Sequence, residues 1–210
     1  MKIPEKTITK WQDIINNISL IFNVPVGLIM RLKDEDIEVF VASNISVNPY
    51  KVGDSEHFEN SGLYCETVIK TKDKLLIPNA LKDEHWKNNL DVKLNMISYL
   101  GFPINFPDGK PFGTICVLDN KENSYSKSQE SLLANLRDLI EQNIAILVTN
   151  EIIKEENNLI HGYSKEIKLQ KNIIKVCLSC NKVCDEKGCW MPLNEFLNKF
   201  IQTLCPDCVK

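Results

Sequence analysis

Residues 97–118 read ISYLGFPINFPDGKPFGTICVL, and this stretch decides the fold because it predicts two paired strands. Residues 97–104 and 112–118 are predominantly apolar runs of strand length. Between them, Pro107 presets its backbone φ angle and Gly109 accepts a positive φ, so the segment predicts a turn. Two strands joined by a short turn form an antiparallel hairpin, and we expect an antiparallel sheet around it.

The chain before this hairpin predicts further helices and strands of the same domain. Apolar spacing and turn residues indicate helices at 8–23 and 61–70, the second with Ser61 as its N-cap, and strands at 26–32, 37–42 and 75–77. Residues 44–60 and 79–95 are polar and predict loops, the second with a helical turn or two. This order predicts an α+β fold with helices packed on the faces of an antiparallel sheet.

Beyond the hairpin, residues 126–176 carry apolar side chains at strict seven-residue spacing, which predicts a long coiled-coil helix. The repeat comprises Leu132, Leu139, Ile146, Ile153, Ile160, Ile167 and Ile174. Asn143, Asn150 and Asn157 occupy companion positions, where buried asparagines favour a parallel two-stranded coil in fixed register. We therefore expect a parallel homodimer through residues 132–174.

The same helix has a wider apolar stripe in its first half. Leu133, Ile140 and Leu147 lie beside the main seam, so this part should also pack on the preceding domain. The alternative to a dimer is therefore a monomeric helix that folds back on its own domain.

Six of the eight cysteines follow residue 176, so they belong to one local feature. Two C-x-x-C pairs, separated by 24 residues, can supply the four thiolates of a tetrahedral structural zinc site. The predicted metal ligands are Cys177, Cys180, Cys205 and Cys208. Cys184 and Cys189 either compete as ligands or are bystanders, and we expect bystanders because the two C-x-x-C pairs already supply four ligands. A redox switch or a disulfide framework is the alternative, although a reducing compartment disfavours the disulfides.

Composition excludes several classes of function. The net charge of −3 in 210 residues indicates neither a nucleic-acid partner nor a membrane surface. The first ten residues lack the apolar core of a signal peptide, and no apolar run is long enough to span a bilayer. We expect a cytoplasmic protein.

Five blocks together resemble a bacterial GAF sensor domain, over roughly residues 8–148. They are SGLYCETVI at 61–69, LIPNA at 76–80, WKNN at 86–89, ISYLGFP at 97–103 and FGTICVLD at 112–119. The resemblance implies a central antiparallel sheet, a small-molecule pocket on one of its faces, and dimerisation through terminal helices. Residues 177–210 resemble the zinc-ribbon-like module that follows sensor domains in bacterial signalling proteins, with Asp185, Gly188, Trp190 and Leu193 at its pattern positions.

The resemblance implies that a ligand lies between the sheet and residues 61–95. The candidate ligand-binding residues are Tyr64, Cys65, Glu66, Asn79, Trp86, Asn88, Asp91, Tyr99, Phe102 and Cys116. Aromatic rings would form apolar walls, and a few polar groups would orient the ligand. The alternative is that the aromatic residues are plain core and the asparagines cap turns. Neither the cyclic-nucleotide motif combination nor a bilin-attachment pattern is recognisable.

These observations predict three parts: a GAF-like domain at 1–125, a coiled-coil connector at 126–176 and a zinc module at 177–210. We expect a non-catalytic sensor or adaptor that acts on a signalling partner in trans. One alternative is a structural interaction module with a closed pocket. Another is a redox enzyme that uses Cys65 or Cys116, although the sequence lacks the cysteine pattern of the GAF-fold enzymes that reduce free methionine sulfoxide.

Overall fold

The computed structural model describes residues 2–170, 175–185 and 187–200. The chain divides into two compact units, residues 1–151 and residues 152–210. No helix within the described ranges is both long enough and apolar enough to cross a membrane.

A six-stranded antiparallel sheet forms the centre of the first unit. Its strands are β1 (Val26–Lys33), β2 (Asp36–Ala42), β3 (Ser55–His57), β4 (Leu75–Ile77), β5 (Ser98–Asn105) and β6 (Pro111–Asp119). Their order across the sheet is β3-β2-β1-β6-β5-β4. The predicted hairpin is confirmed as β5–β6, in which Tyr99 lies opposite Leu118 and Phe102 lies opposite Ile115.

The helices of the structure are α1 (Glu5–Phe22), α2 (Tyr64–Thr71), α3 (Leu90–Lys93), α4 (Lys127–Gln170) and α5 (Leu193–Phe200), with a 3-10 turn at Ala80–Lys82. The α+β fold with an antiparallel sheet and a long helix is therefore confirmed. Most predicted elements agree with the structure to within about three residues, because each buries an apolar face with a clear period.

Each face of the sheet carries its own hydrophobic cluster. On the first face, α1 and the first part of α4 cover the strands, with Trp11 and Ile15 from α1 and Leu133, Ile140 and Ile144 from α4 all fully buried. The second face is covered by α2 and the segments around it. Burial of Leu133 and Ile140 confirms that the first part of the long helix packs on the preceding domain.

Three expectations about individual elements are wrong. The polar segment 44–60 contains β3, an exposed three-residue edge strand paired to β2, which has too little apolar character to be recognised. Ser61 is not the N-cap of α2, because that helix begins at Tyr64 after Leu63; Ser61 instead donates to the Glu66 carboxylate. The long helix does not reach residue 176, since Lys175–Val176 form a strand.

The predicted coiled-coil seam is exposed from Leu139 to Ile160, whereas its first member, Leu132, is partly buried against the first cluster. Leu139, Ile146, Ile153 and Ile160 are between 42% and 62% exposed. The side chain of Ile167 and all of Ile174 lie outside the described residues. Asn143 was expected to face a second copy of the helix in the coiled coil. Instead, its side-chain oxygen accepts a hydrogen bond from Trp11 of the same chain.

The second unit contains a small antiparallel sheet of β7 (Lys175–Val176), β8 (Val183–Cys184) and β9 (Trp190–Met191), in that order. Val183 and Met191 lie opposite each other and are buried. Helix α5 follows β9.

Candidate functional site

A cavity of about 450 Å³ lies on the second face of the sheet. Strands β1, β2, β5 and β6 contribute its floor, and α2, α3 and residues 50–56 contribute its walls. Most of the lining is apolar, with Leu28, Met30, Val39, Leu63, Leu90 and Leu118 among its side chains. Its size and its apolar walls are those of a site for a small organic molecule.

Asp91 is the buried carboxylic acid of this cavity and is only 9% exposed. The Tyr50 hydroxyl donates to Asp91 Oδ1 at 2.7 Å, and the Asn89 side chain accepts from the Asp91 backbone N–H at 2.8 Å. Burial raises the pKa of Asp91 to about 6, although the hydrogen bond from Tyr50 opposes this rise. Around neutral pH the cavity therefore contains a buried carboxylate held in a fixed position.

Two thiols meet at the floor of the cavity. Cys65 is the second residue of α2, and Cys116 lies on β6; both are buried and border the cavity. The Thr114 hydroxyl donates to Cys65 Sγ at 3.2 Å, and the Tyr99 hydroxyl lies 3.5 Å from the same sulfur. The hydrogen bond between the two thiols lowers the pKa of Cys65 against the effect of burial, and it raises the pKa of Cys116. Cys65 is therefore the more acidic of the two thiols.

Among the ten candidate ligand-binding residues, the structure brings Cys65, Asp91, Tyr99 and Cys116 together around the cavity. Tyr64 and Trp86 are buried in the same cluster without bordering it; the ring of Tyr64 lies 4.8 Å from that of Tyr99 and 5.2 Å from that of Trp86.

The other four candidates have different surroundings. Glu66 accepts backbone hydrogen bonds from Asn60 and Gly62. Asn79 caps the 3-10 turn, and Asn88 is exposed. Phe102 lies in the cluster on the opposite face of the sheet, so it cannot contact a molecule in the cavity.

Sequence reasoning missed Tyr50, Thr114 and Lys93 as residues of the site. Tyr50 lies in residues 44–60, which are predicted only as a loop, and the available signal was an aromatic side chain there, which Phe58 shares. Thr114 could have been identified from the sequence, because side chains two residues apart on a strand point to the same face. It lies two residues from Cys116 on β6.

In the second unit, Cys177 and Cys180 flank a tight turn between β7 and β8. The Cys177 N–H donates to the Lys182 carbonyl, and the Asn181 N–H donates to the Cys177 carbonyl, each at 2.8 Å. Hydrogen bonds from the backbone N–H groups of Cys180 and Ser179 lower the pKa of Cys177, which suits a thiolate ligand. These two residues therefore fit half of a four-thiolate zinc site.

The other half of that site cannot be placed, because Cys205 and Cys208 lie outside the described residues. Within the described ranges, no three His, Cys, Asp or Glu side chains converge as they would around a metal ion. Cys184 donates weakly to the Asp185 carbonyl, and Cys189 donates through its backbone to the Asp185 carboxylate.

Comparison with known proteins identifies the fold of the first unit. The family model that describes the GAF domain matches residues 8–144. A search of curated proteins gave no match.

Solved structures with the same fold come from several kinds of protein. The GAF domain of an Acinetobacter phosphoenolpyruvate-protein phosphotransferase is 20% identical, with a TM-score of 0.55 over 69% of this chain and 85% of that one. A type II free methionine-R-sulfoxide reductase from Thermoplasma acidophilum is 14% identical, with a TM-score of 0.53 over 67% of this chain and 93% of that one. A red/green cyanobacteriochrome is 11% identical, with a TM-score of 0.55 over 66% of this chain and 94% of that one. At such identities the likeness establishes the fold alone.

Proposed function

Because this chain belongs to the GAF domain family, we propose that it is a sensor, which binds a small molecule and passes its occupancy to a signalling partner. The cavity on the second face of the sheet carries this proposal. It combines apolar walls with a few polar groups, as ligand sites do. The photoreceptor among the structures of the same fold is in keeping with a sensor role.

The sheet offers a route from the cavity to the long helix. Cys116 borders the cavity, while its neighbours Ile115 and Val117 belong to the opposite cluster, in which Leu133 and Ile140 of α4 are buried. A ligand that binds two arrangements of this core with different affinity would shift the population of helix positions. Tight binding alone would shift nothing.

We further propose that α4 forms a parallel coiled coil in a homodimer. Support comes from the seven-residue repeat and from the exposure of four of its members. Such a seam buries little in one chain, and a second copy would cover it. We also propose that one zinc ion per chain binds Cys177, Cys180, Cys205 and Cys208 and holds the second unit together.

Native mass spectrometry of the full chain, purified from cells without chelator, tests the sensor proposal. We expect the measured mass to exceed that of the protein and its metal by the mass of a bound small molecule. The Leu94→Trp variant should lose that mass, because Leu94 borders the cavity and the larger indole would occupy space that the ligand needs. Leu94 is 45% exposed, so the larger side chain can be accommodated without disrupting the core. Leu81→Trp is the matched control, since Leu81 is 57% exposed and lies away from the cavity. A bound mass that survives Leu94→Trp would contradict the assignment of the cavity.

The two thiols at the cavity favour a second candidate function, the reduction of a small sulfoxide. In that reaction the sulfoxide is reduced to a sulfide, its oxygen leaves as water, and Cys65 and Cys116 are oxidised to a disulfide. The support is that both thiols border one cavity and that Thr114 donates to Cys65. A structural role as small buried apolar side chains is the competing interpretation.

Free methionine-R-sulfoxide, with dithiothreitol as the reductant, tests this second candidate. Turnover that Cys65→Ser or Cys116→Ser abolishes, and that Cys189→Ser leaves unchanged, would support an enzyme. Absence of thiol-dependent turnover would exclude this reaction and leave the sensor proposal in place.

A further inference from the structure

The carboxylate of Asp91 is only partly satisfied by the protein. Oδ1 accepts from Tyr50, whereas Oδ2 has no hydrogen-bond donor among residues 2–170, 175–185 and 187–200. The residue borders the cavity. Oδ2 is not one of the fully buried side-chain atoms without a hydrogen-bond partner in the described residues. Oδ2 therefore remains accessible at a cavity wall that is otherwise mostly apolar. It is the charged acceptor that the cavity offers to a hydrogen-bond donor on a ligand.

The charges around the cavity favour a cation. Asp54 and Glu56 border its exposed side, so among the described residues the lining holds three carboxyl groups, with Asp91, against the single ammonium group of Lys93. Lys93 is exposed and makes no ion pair with any residue that the structure describes. A positive ligand would gain from this negative field, and a negative ligand would be repelled.

The remainder of the lining defines the body of the ligand. Leucine, methionine, isoleucine and valine side chains from β1, β2, α3 and β6 surround the space next to Asp91. They offer dispersion contacts and no further strong acceptors. A cavity of about 450 Å³ has room for a molecule the size of an aromatic amine.

We propose that the cavity binds a small organic cation, in which a compact apolar body ends in a primary ammonium group that donates to Asp91 Oδ2. This inference rests on the proposed sensor function and names the chemical class of its ligand. Tyr50 is the positioning residue, because its hydroxyl occupies Oδ1 and leaves Oδ2 turned to the ligand. In the described part of the chain no three metal-ligating side chains converge, so the donor set suits an ammonium group better than a metal ion.

Three probes of nearly equal shape test the charge requirement on the full chain. They are 2-phenylethylamine, 2-phenylethanol and phenylacetate, with binding measured by isothermal titration calorimetry at pH 7.5. The amine should bind at least about tenfold more tightly than the alcohol, because both donate to the same carboxylate but only the ammonium group adds an attraction between opposite charges. Phenylacetate should bind more weakly than either.

Variants separate the carboxylate from the shape of the cavity. Asp91→Asn should remove most of the preference for the amine, with only the weaker field of Asp54 and Glu56 remaining, and should change the affinity for the alcohol little. Asp13→Asn, on an exposed position of α1, is the matched control and should preserve the preference. Equal affinity of the wild-type chain for amine and alcohol would overturn the inference while showing that the cavity binds ligands.

A pH series on the wild-type chain supplies a second test that needs no variant of Asp91. Because the pKa of Asp91 is raised to about 6, amine affinity should fall as the pH decreases through 6, while alcohol affinity stays constant. Tyr50→Phe removes a hydrogen bond that lowers this pKa, so the fall should move to higher pH. The other titratable or charged groups that face Asp91 or border the cavity are Tyr64, Tyr99, Cys65, Cys116, Lys93, Asp54 and Glu56.

The possible results separate this inference from the proposed function. Amine affinity that does not change with pH would contradict the role of Asp91. If none of the three probes binds, the ligand class is wrong. The sensor proposal is then decided separately, by the bound mass that Leu94→Trp is expected to remove.

Discussion

The indole N–H of Trp11 donates to the side-chain oxygen of Asn143 at 3.2 Å, joining residues 132 positions apart. Trp11 is fully buried, and Asn143 is half-buried on α4. The bond ties the N-terminal helix to the long helix on the same face of the sheet. An asparagine that the heptad pattern assigned to a dimer layer thus has an intramolecular partner.

Removing that acceptor should destabilise the first unit. Asn143→Ala leaves the buried indole N–H without its partner, so we expect the free energy of unfolding to fall by about 1–3 kcal/mol. Asn143→Asp keeps an acceptor oxygen and should lose less. Urea denaturation followed by tryptophan fluorescence measures both. Asn17→Ala, at an exposed position of α1, should stay within about 0.5 kcal/mol of the wild type. An alanine variant as stable as this control would show that the bond contributes nothing.

Glu66 should make stability depend on acidity. Burial of its carboxylate would raise its pKa, but hydrogen bonds from Lys70, Gly62, Asn60 and Ser61 outweigh burial and lower the pKa from 4.5 to about 2. A lowered folded-state pKa stabilises the fold above the unfolded pKa, and this contribution is lost as the pH falls through the folded value.

The corresponding experiment compares the wild type with Glu66→Gln across pH. The variant should be less stable by about 1–3 kcal/mol from pH 7 to pH 5, and the difference should shrink between pH 4.5 and pH 2. Glu84→Gln changes a 91% exposed side chain and should show no such trend. A difference that is constant down to pH 2 would mean that the charge of Glu66 is not the cause.

A charge in the exposed seam of α4 should break the proposed dimer. Ile153 is 48% exposed, and Ile153→Lys would place an ammonium group in the apolar seam of a coiled coil. Sedimentation equilibrium should report a dimer for the wild type and a monomer for the variant. Asn158→Lys introduces the same charge at an exposed position outside the repeat and should leave the dimer intact. A monomeric wild type at micromolar concentration would exclude the coil.

Metal content should depend on one subset of the cysteines. Plasma emission analysis of protein purified without chelator should find about one zinc ion per chain. Cys180→Ser should lower that content strongly, since it removes one of four thiolates. Cys189→Ser should retain it, because the four proposed thiolate ligands remain. Equal loss in both variants would mean that Cys189 is itself a ligand.

Much of the fold was predictable from local patterns. The β5–β6 hairpin follows from two apolar runs around Pro107 and Gly109, and the extent of α1 follows from its apolar period. β3 was missed because its three residues are exposed and its pairing with Asp36–Glu38 is the only reason that it is a strand. Patterns reveal elements that bury a face, and an edge strand without a buried face leaves no pattern.

The candidate site shows the same difference between what local patterns predict and what tertiary contacts decide. The sequence by itself named Cys65, Asp91, Tyr99 and Cys116 as candidates, because they lie on the predicted sheet or in residues 61–95, between which the GAF resemblance implies a ligand. Only the tertiary structure decided that these four share one cavity while Phe102 faces the other side of the sheet. It also brought Tyr50 to Asp91 across 41 residues. The physical reason is that side-chain periodicity records local burial, whereas a binding site is made by contacts between segments whose distance along the chain carries no periodic signal.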